Sequence, residues 1–333
     1  MKRLLKIIAF LLLVFIAICA FSWFTDKSSY GSWTIEKRSK NNTALSWIKF
    51  LWTSDSLGKK YYERTGMNVP VKITGLPYDF TFQFDLGDQH TEIYENSLNA
   101  VYAVNPGIKN KIGRLKSIFQ FWDNNKSYKN ITIEAGDYLF KSSNCYVHRN
   151  FGDAIDKERI LMNHPLHIGS IGIDLFQNKI LIIDYPHQQF CILDSLPDSY
   201  QVNMVSIKLN KAGMVLLPMK LNGKEYDCLF DNGSSIFQLI GSSTRMTDYS
   251  KAPDNDTISI SSWGTIHPMT GRKMAGIVEI GGQRFNDIEI YADHRKAIQE
   301  AALNDPPYLV TGNALFWDKT VIIDFKHKTF GVK

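Results

Sequence analysis

With 333 residues, 44% apolar and 21% charged, the chain can form two domains or one two-lobed body with a large core, which excludes wholesale disorder. Its formal net charge is +5, but Lys2, Arg3 and Lys6 supply three of those charges; the remaining +2 (5 − 3) excludes a nucleic-acid-binding footprint. Four cysteines (Cys19, Cys145, Cys191, Cys228) with no CxxC exclude a disulfide scaffold and a zinc cluster, and Cys228 sits in an alternating apolar stretch as a core residue.

Residues 1–6 are basic, and residues 7–24 form an uncharged apolar run that ends before Asp26 and Lys27. At 18 residues the run lies between a long signal-peptide core and a short spanning helix. A basic start holds that end in the cytoplasm and sends the remainder across. Residues 1–24 are therefore expected to be a signal peptide or signal anchor. The chain is then membrane-anchored through residues 7–24 or secreted, with residues 25–333 extracytoplasmic. Ile18 is a poor match both to a cleavage site after Ala20 and to a lipidated Cys19, which favours the uncleaved anchor.

Residues 25–65 are polar and aromatic and read as a stalk or linker with a short helix near residues 45–52. Beyond Val69, short β-branched and aromatic runs alternate with Gly, Asn, Asp and Pro, the pattern of all-β architecture. Strands are predicted at 180–183, 277–280 and 321–323, and the best helical periodicity lies at 294–304.

An internal repeat organises this region. Gly172-Ile-Asp-Leu-Phe176 precedes Ile180-Leu-Ile-Ile-Asp184 and Phe190, while Gly312-Asn-Ala-Leu-Phe316 precedes Thr320-Val-Ile-Ile-Asp324 and Phe330. The glycine-to-aspartate spacing is 12 in both and the aspartate-to-phenylalanine spacing is 6 in both. Upstream, Phe80-Thr-Phe-Gln-Phe84-Asp85-Leu-Gly87 matches Tyr226-Asp-Cys-Leu-Phe230-Asp231-Asn-Gly233, each an alternating strand ending in Asp-x-Gly. Val69-Pro70 and Leu217-Pro218 open the two halves alike. Two β lobes follow, at residues 66–200 and 201–333.

A strand ending in Asp-x-Gly presents a carboxylate at a sharp turn, where glycine permits close approach. Two such turns meeting about a pseudo-twofold axis would bring two carboxylates together, and like charges that close share a proton. One carboxylate then takes a proton from water while the other donates to a carbonyl oxygen, which is acid–base hydrolysis.

At these residues the chain resembles the pepsin-like and retropepsin-like aspartic peptidases. Phe84-Asp85-Leu86-Gly87, with the later Thr91, resembles the first motif; Phe230-Asp231-Asn232-Gly233-Ser234-Ser235 is closer still to Asp-Thr-Gly-Ser. Ile171-Gly172 and Thr311-Gly312 stand where that family has its hydrophobic-hydrophobic-Gly strand. The resemblance covers about residues 66–333. It implies a bilobal fold, Asp85 and Asp231 as a catalytic dyad, and a flap hairpin between residues 107 and 153. It also implies a peptide or protein substrate, no metal or organic cofactor, and no required oligomer, because one chain supplies both aspartates. The chain departs from the family at Leu86 and Asn232, where Thr or Ser ties the loops together, and at Asp88, where a small residue is usual. An inward-facing Asp88 would oppose ionisation of Asp85.

Plainer readings stand beside these. Both aspartates could hold turns in a duplicated binding module of the cell envelope that cuts nothing. His164 and His167 read as part of a polar connection rather than a metal pair. Ser234 and Ser235 lack a nucleophile elbow and read as partners near Asp231. Asp184 and Asp324 follow strands, precede turns and read as structural. Residues 109–116 form a basic surface stretch, and Asn41, Asn130, Asn232 and Asn255 each begin a glycosylation sequon.

Overall fold

A computed structural model describes residues 32–38, 45–114 and 126–333, except 163, 222, 263 and 305–308. The chain is mostly β, and the described strands form three sheets of nine, six and ten strands.

The sequence repeat is also a repeat of topology. Strand Asp79–Phe84 runs parallel to Leu166–Ile171, which is antiparallel to Glu92–Tyr94, which is parallel to Tyr138–His148. In the second half, Lys224–Phe230 runs parallel to Leu309–Thr311, antiparallel in turn to Leu239–Ser242, parallel to Glu289–Asp293. Period-two burial sets the faces: Phe80, Phe82 and Phe84 point into one core, and Cys228 and Phe230 into the matching position. Aspartates 85 and 231 come next, where each strand leaves its sheet.

The six-stranded sheet is built from both halves. Ile180–Asp184 pairs antiparallel with Thr320–Asp324, placing Ile182 opposite Ile322 at its centre. Each strand turns back into a partner, Gln189–Leu193 or Thr329–Val332. Asp184 accepts the His187 N–H at 3.3 Å, and Asp324 accepts the N–H groups of Lys326 and His327 at 2.9 and 2.8 Å. Gln188 and Lys328 occupy matching positive-φ positions at 51° and 54°. Both aspartates therefore hold hairpin turns.

Several expectations are corrected. The predicted helix near residues 45–52 is replaced by strands Ile48–Lys49 and Leu51–Leu57. Burial there alternates, with Ile48 and Phe50 inside and Lys49 and Leu51 outside, a strand period rather than a helical one. The described part of the expected stalk is woven into the body: Thr34–Lys37 pairs with residues 138–141, and Ile48–Lys49 with residues 189–190. His167 lies within strand Leu166–Ile171 rather than in the connection before it. The nine-stranded sheet draws its strands from residues 34–171, the ten-stranded sheet from residues 208–311, and the six-stranded sheet takes strands from both halves.

The predicted strands at 180–183, 277–280 and 321–323 coincide with Ile180–Asp184, Val278–Ile280 and Thr320–Asp324, and helix Lys296–Asn304 occupies the periodic segment. In the window expected to hold a flap, Ile112–Arg114 pairs with Lys126–Ala135; the connecting residues 115–125 lie outside the described residues. So does the apolar run at 7–24. Among the described residues no helix is long and apolar enough to cross a membrane. Cys145, Cys191 and Cys228 are buried and unpaired.

Candidate active site

The two Asp-x-Gly turns have matching backbone geometry. The N–H of Asp85 donates to Ile171 O at 3.0 Å and that of Asp231 to Thr311 O at 2.9 Å. Gly87 N–H donates to Asp85 Oδ1, and Gly233 N–H to Asp231 Oδ1, both at 2.9 Å. The turns face each other so closely that a Cβ on Gly87 would lie 2.4 Å from Asp231 Oδ1, and one on Gly233 2.4 Å from Asp85 Cγ. Only glycine lets each turn pass the opposite carboxylate. Asp85 and Asp231 thus meet, half-buried, and interact directly.

Gly172 and Gly312 brace the turns from behind. A Cβ on Gly172 would lie 2.4 Å from the His90 carbonyl group, and one on Gly312 1.9 Å from Ser234 O. Thr91 ties the first turn to its brace, with Oγ1 accepting from Gly172 N–H at 3.1 Å and donating to Asp174 Oδ1 at 2.7 Å.

The link between the turns is one-sided. Asn232 Oδ1 accepts the Leu86 N–H at 2.5 Å in a fully buried position. Leu86 cannot return the bond, and its side chain is packed in the core instead. Asn313 completes the support, donating to Asn232 O at 2.8 Å and Ser235 Oγ at 3.1 Å while accepting from Tyr185 O–H at 2.6 Å. Its burial places Asn232 beyond glycosylation in the folded chain.

The carboxylates differ in their surroundings. Asp231 collects three donors: Gly233 N–H at 2.9 Å, Ser234 N–H at 3.3 Å and Ser234 O–H at 2.7 Å. For Asp85 the structure gives one, Gly87 N–H. Where Ser234 stands in the second turn, the first has Asp88. It is buried, accepting from Ser170 O–H at 2.7 Å and His90 N–H at 3.1 Å. Burial first, then the negative charges of Asp231 and Asp88, hold the Asp85 carboxyl well above the usual carboxylate range.

Further acids lie behind Asp85. Burial pushes Asp88 up to about 6, Asp174 to about 7 and Glu92 to about 9. Glu92 Oε1 lies 2.8 Å from His148 Nδ1, and burial pushes the His148 imidazole down as it pushes Glu92 up. Carboxyls whose folded pKa is raised contribute stability that is fully present below their unfolded values near 4 and lost as pH rises through the folded values. Thermal melting should therefore have its highest midpoint in mild acid and fall between pH 4 and 9. Asp88 alone, moved from 3.8 to about 6, accounts for about 3 kcal/mol across its part of that window. A midpoint that rises over this range would contradict the assignment.

Of the residues singled out in the sequence, Asp85, Gly87, Asp231, Gly233 and Ser234 come together at the front. Thr91, Gly172, Asn232, Ser235 and Gly312 form the supporting layer. Sequence reasoning missed Ser170, Asp174 and Asn313. The signal for the last two was a mismatch within the repeat, Gly172-Ile173-Asp174 against Gly312-Asn313-Ala314, which places a polar residue in each half of an otherwise apolar segment. Among the described residues, no group of three or more His, Cys, Asp or Glu side chains is arranged to hold a metal ion.

A scan against protein-family models and a search of curated proteins find no match to the chain.

Proposed function

We propose that the chain is an extracytoplasmic aspartic endopeptidase of the bilobal type, delivered through residues 7–24 and complete as a single chain. The observation that carries the reading is the interlocked pair of turns, in which each glycine backs the other turn's aspartate. Asp231, surrounded by donors, acts as the base that takes a proton from water. Asp85, held protonated by burial and by Asp88, donates to the scissile carbonyl oxygen. Water attacks that carbon, the C–N bond breaks as the amine is protonated, and the dyad returns to one shared proton. The reading is tested by exposing an unbiased peptide library to the full chain between acidic and neutral pH, with and without pepstatin. Pepstatin-sensitive cleavage supports it, and no cleavage by folded protein at any pH counts against it.

The division of roles has its own test. Above about pH 6 Asp88 is anionic and opposes loss of the Asp85 proton. Asp88→Ser removes that charge and supplies a hydroxyl where Ser234 stands in the other turn. The alkaline limb of kcat/KM should then move to lower pH; an unmoved or raised limb would show that Asp88 does not act on the dyad.

A second reading, a peptide-binding module without catalysis, is favoured by Leu86 and Asp88, which replace a loop-tying hydroxyl and a carboxylate donor. It is distinguished by peptide binding that survives loss of either aspartate.

A further inference from the structure

The two aspartate turns are held from behind by different means. In the second half the support is internal: Asn313, next to the brace glycine, bonds to Asn232 and Ser235 of the turn. The position six residues after Asp231 is Phe237, and the position two after Gly312 is Ala314, both apolar. In the first half the matching positions are Thr91 and Asp174, and they form a polar chain. Thr91 donates to Asp174 Oδ1 through its N–H at 2.8 Å and its hydroxyl at 2.7 Å. The same hydroxyl accepts from Gly172 N–H, and Ile173 N–H donates to Asp88 O at 2.9 Å, so segment 171–174 grips the Asp85 turn along its length.

This chain of bonds ends outside the repeat. Trp33 Nε1–H donates to Asp174 Oδ2 at 3.1 Å, across 141 positions of sequence. Trp33 stands immediately before strand Thr34–Lys37, and its ring packs against the main core. The strand is fixed by its pairing with residues 138–141, by Lys141 Nζ at 2.6 Å from Glu36 Oε2, and by Arg38 N–H donating to Asp137 O at 2.9 Å. Asp174 is buried, and the titratable groups that act on it, Asp88, Glu92 and the Cys145 thiol, are all acids that oppose its charge. Its donors are the two groups of Thr91 on Oδ1 and the indole on Oδ2. Without the indole, Oδ2 would be buried among acids with no donor of its own, a costly state for a carboxylate.

We propose that Trp33 is a positioning residue for Asp85: its indole N–H fixes the Asp174 carboxylate, which through Thr91 and Gly172 holds the Asp85 turn against Asp231. The proposal rests on the reading of the two aspartates as a catalytic pair. Acting through Asp174, Trp33 contributes to the transition state, where both carboxyls must be aligned with water and carbonyl, and not to the binding of substrate residues remote from them. A bond to a buried charged acceptor is stronger than one to the neutral acid, so the indole contributes more once Asp174 ionises. Removing that donor raises the folded pKa of Asp174 further. The stability lost relative to wild type therefore increases as pH rises through the wild-type value of about 7.

The test compares the full chain with Trp33→Phe, which keeps an aromatic ring and removes the N–H, with Asp174→Asn, and with the double variant. Trp33→Phe should lower kcat for peptide cleavage by about tenfold while KM stays within about twofold. Its thermal midpoint should lie close to wild type at pH 5 and fall progressively below it above pH 7. Asp174→Asn replaces one acceptor oxygen by a donor, which opposes the indole N–H or the Thr91 N–H whichever way the amide lies. It should therefore cost activity in the wild-type background and far less beside Trp33→Phe, where one of those donors is gone. A Trp33→Phe chain that fails to fold and is rescued by the added Asp174→Asn supports the proposal equally. Equal losses in both backgrounds, or a melting deficit that is the same at every pH, mark Trp33 as ordinary packing and overturn it. A Trp33→Phe protein that cleaves like wild type overturns it too and leaves the catalytic pair standing, whereas wild type that neither cleaves nor binds pepstatin overturns the reading on which it rests.

Discussion

Asp85→Asn and Asp231→Asn should each lower kcat/KM for peptide cleavage by about 10³-fold or more while leaving the fold intact. Both substitutions are isosteric, and asparagine Oδ1 can still accept the Gly87 or Gly233 N–H that the aspartate accepts. What is lost is the shared proton. The two variants should differ from a merely destabilised protein in their melting behaviour. Asp85 has a raised folded pKa, so the wild-type carboxyl contributes full stability below its unfolded value and loses it as pH rises. Asp85→Asn cannot ionise. Its midpoint should match wild type in strong acid and exceed it increasingly towards neutral pH. Lost cleavage with a gained midpoint is the signature of a like-charge pair. Lost cleavage with a lowered midpoint would mean that Asp85 is a structural turn residue, as the binding-module reading holds.

Gly312→Ala should be among the most damaging single substitutions in the chain, costing about 3 kcal/mol or more of stability. The added methyl would lie 1.9 Å from Ser234 O and 2.8 Å from Phe237 O, both backbone atoms with no side-chain rotation to relieve them. Relief requires the Asp231 turn to move off its brace, which would break the bond from Asp231 N–H to Thr311 O and move Asp231 away from Asp85. Cleavage and stability should therefore fall together, unlike the dyad variants. Gly213→Ala is the control: no heavy atom would lie within 4 Å of its Cβ, so only its positive φ of 84° resists the change. Chemical denaturation of the two variants checks the contrast. A Gly312→Ala protein as stable as Gly213→Ala would remove the brace from the account.

Features that repeat locally are legible in the sequence. Alternating strands ending in Asp-x-Gly, the glycine segments downstream and the Ile-rich strands after them are each written within a dozen residues. Their recurrence in the same order, with identical spacing from each glycine segment to the aspartate after it, makes the duplication visible without any contact. Short-range periodicity also marked helix Lys296–Asn304. Residues 45–52 form strands rather than the predicted helix, because a short apolar and aromatic run fits a helix face or a strand equally until its partner is known.

Whatever depends on which distant groups meet is fixed only in the folded chain. Leu86 and Asn232 are 146 positions apart, and no local pattern says that an asparagine oxygen would replace a hydroxyl in joining them. Asp174 is an unremarkable acid in the sequence, and Asp88 stands out there only by its place in the motif; whether it faces inward is decided by the fold, and burial is what raises the pKa of both. The shared six-stranded sheet and the bond from Trp33 to Asp174 are likewise non-local, since strand pairing and hydrogen bonding between distant segments depend on the closed fold. Local periodicity encodes strands and turns; the charge state and shape of the space between the aspartates exist only once the halves have closed on each other.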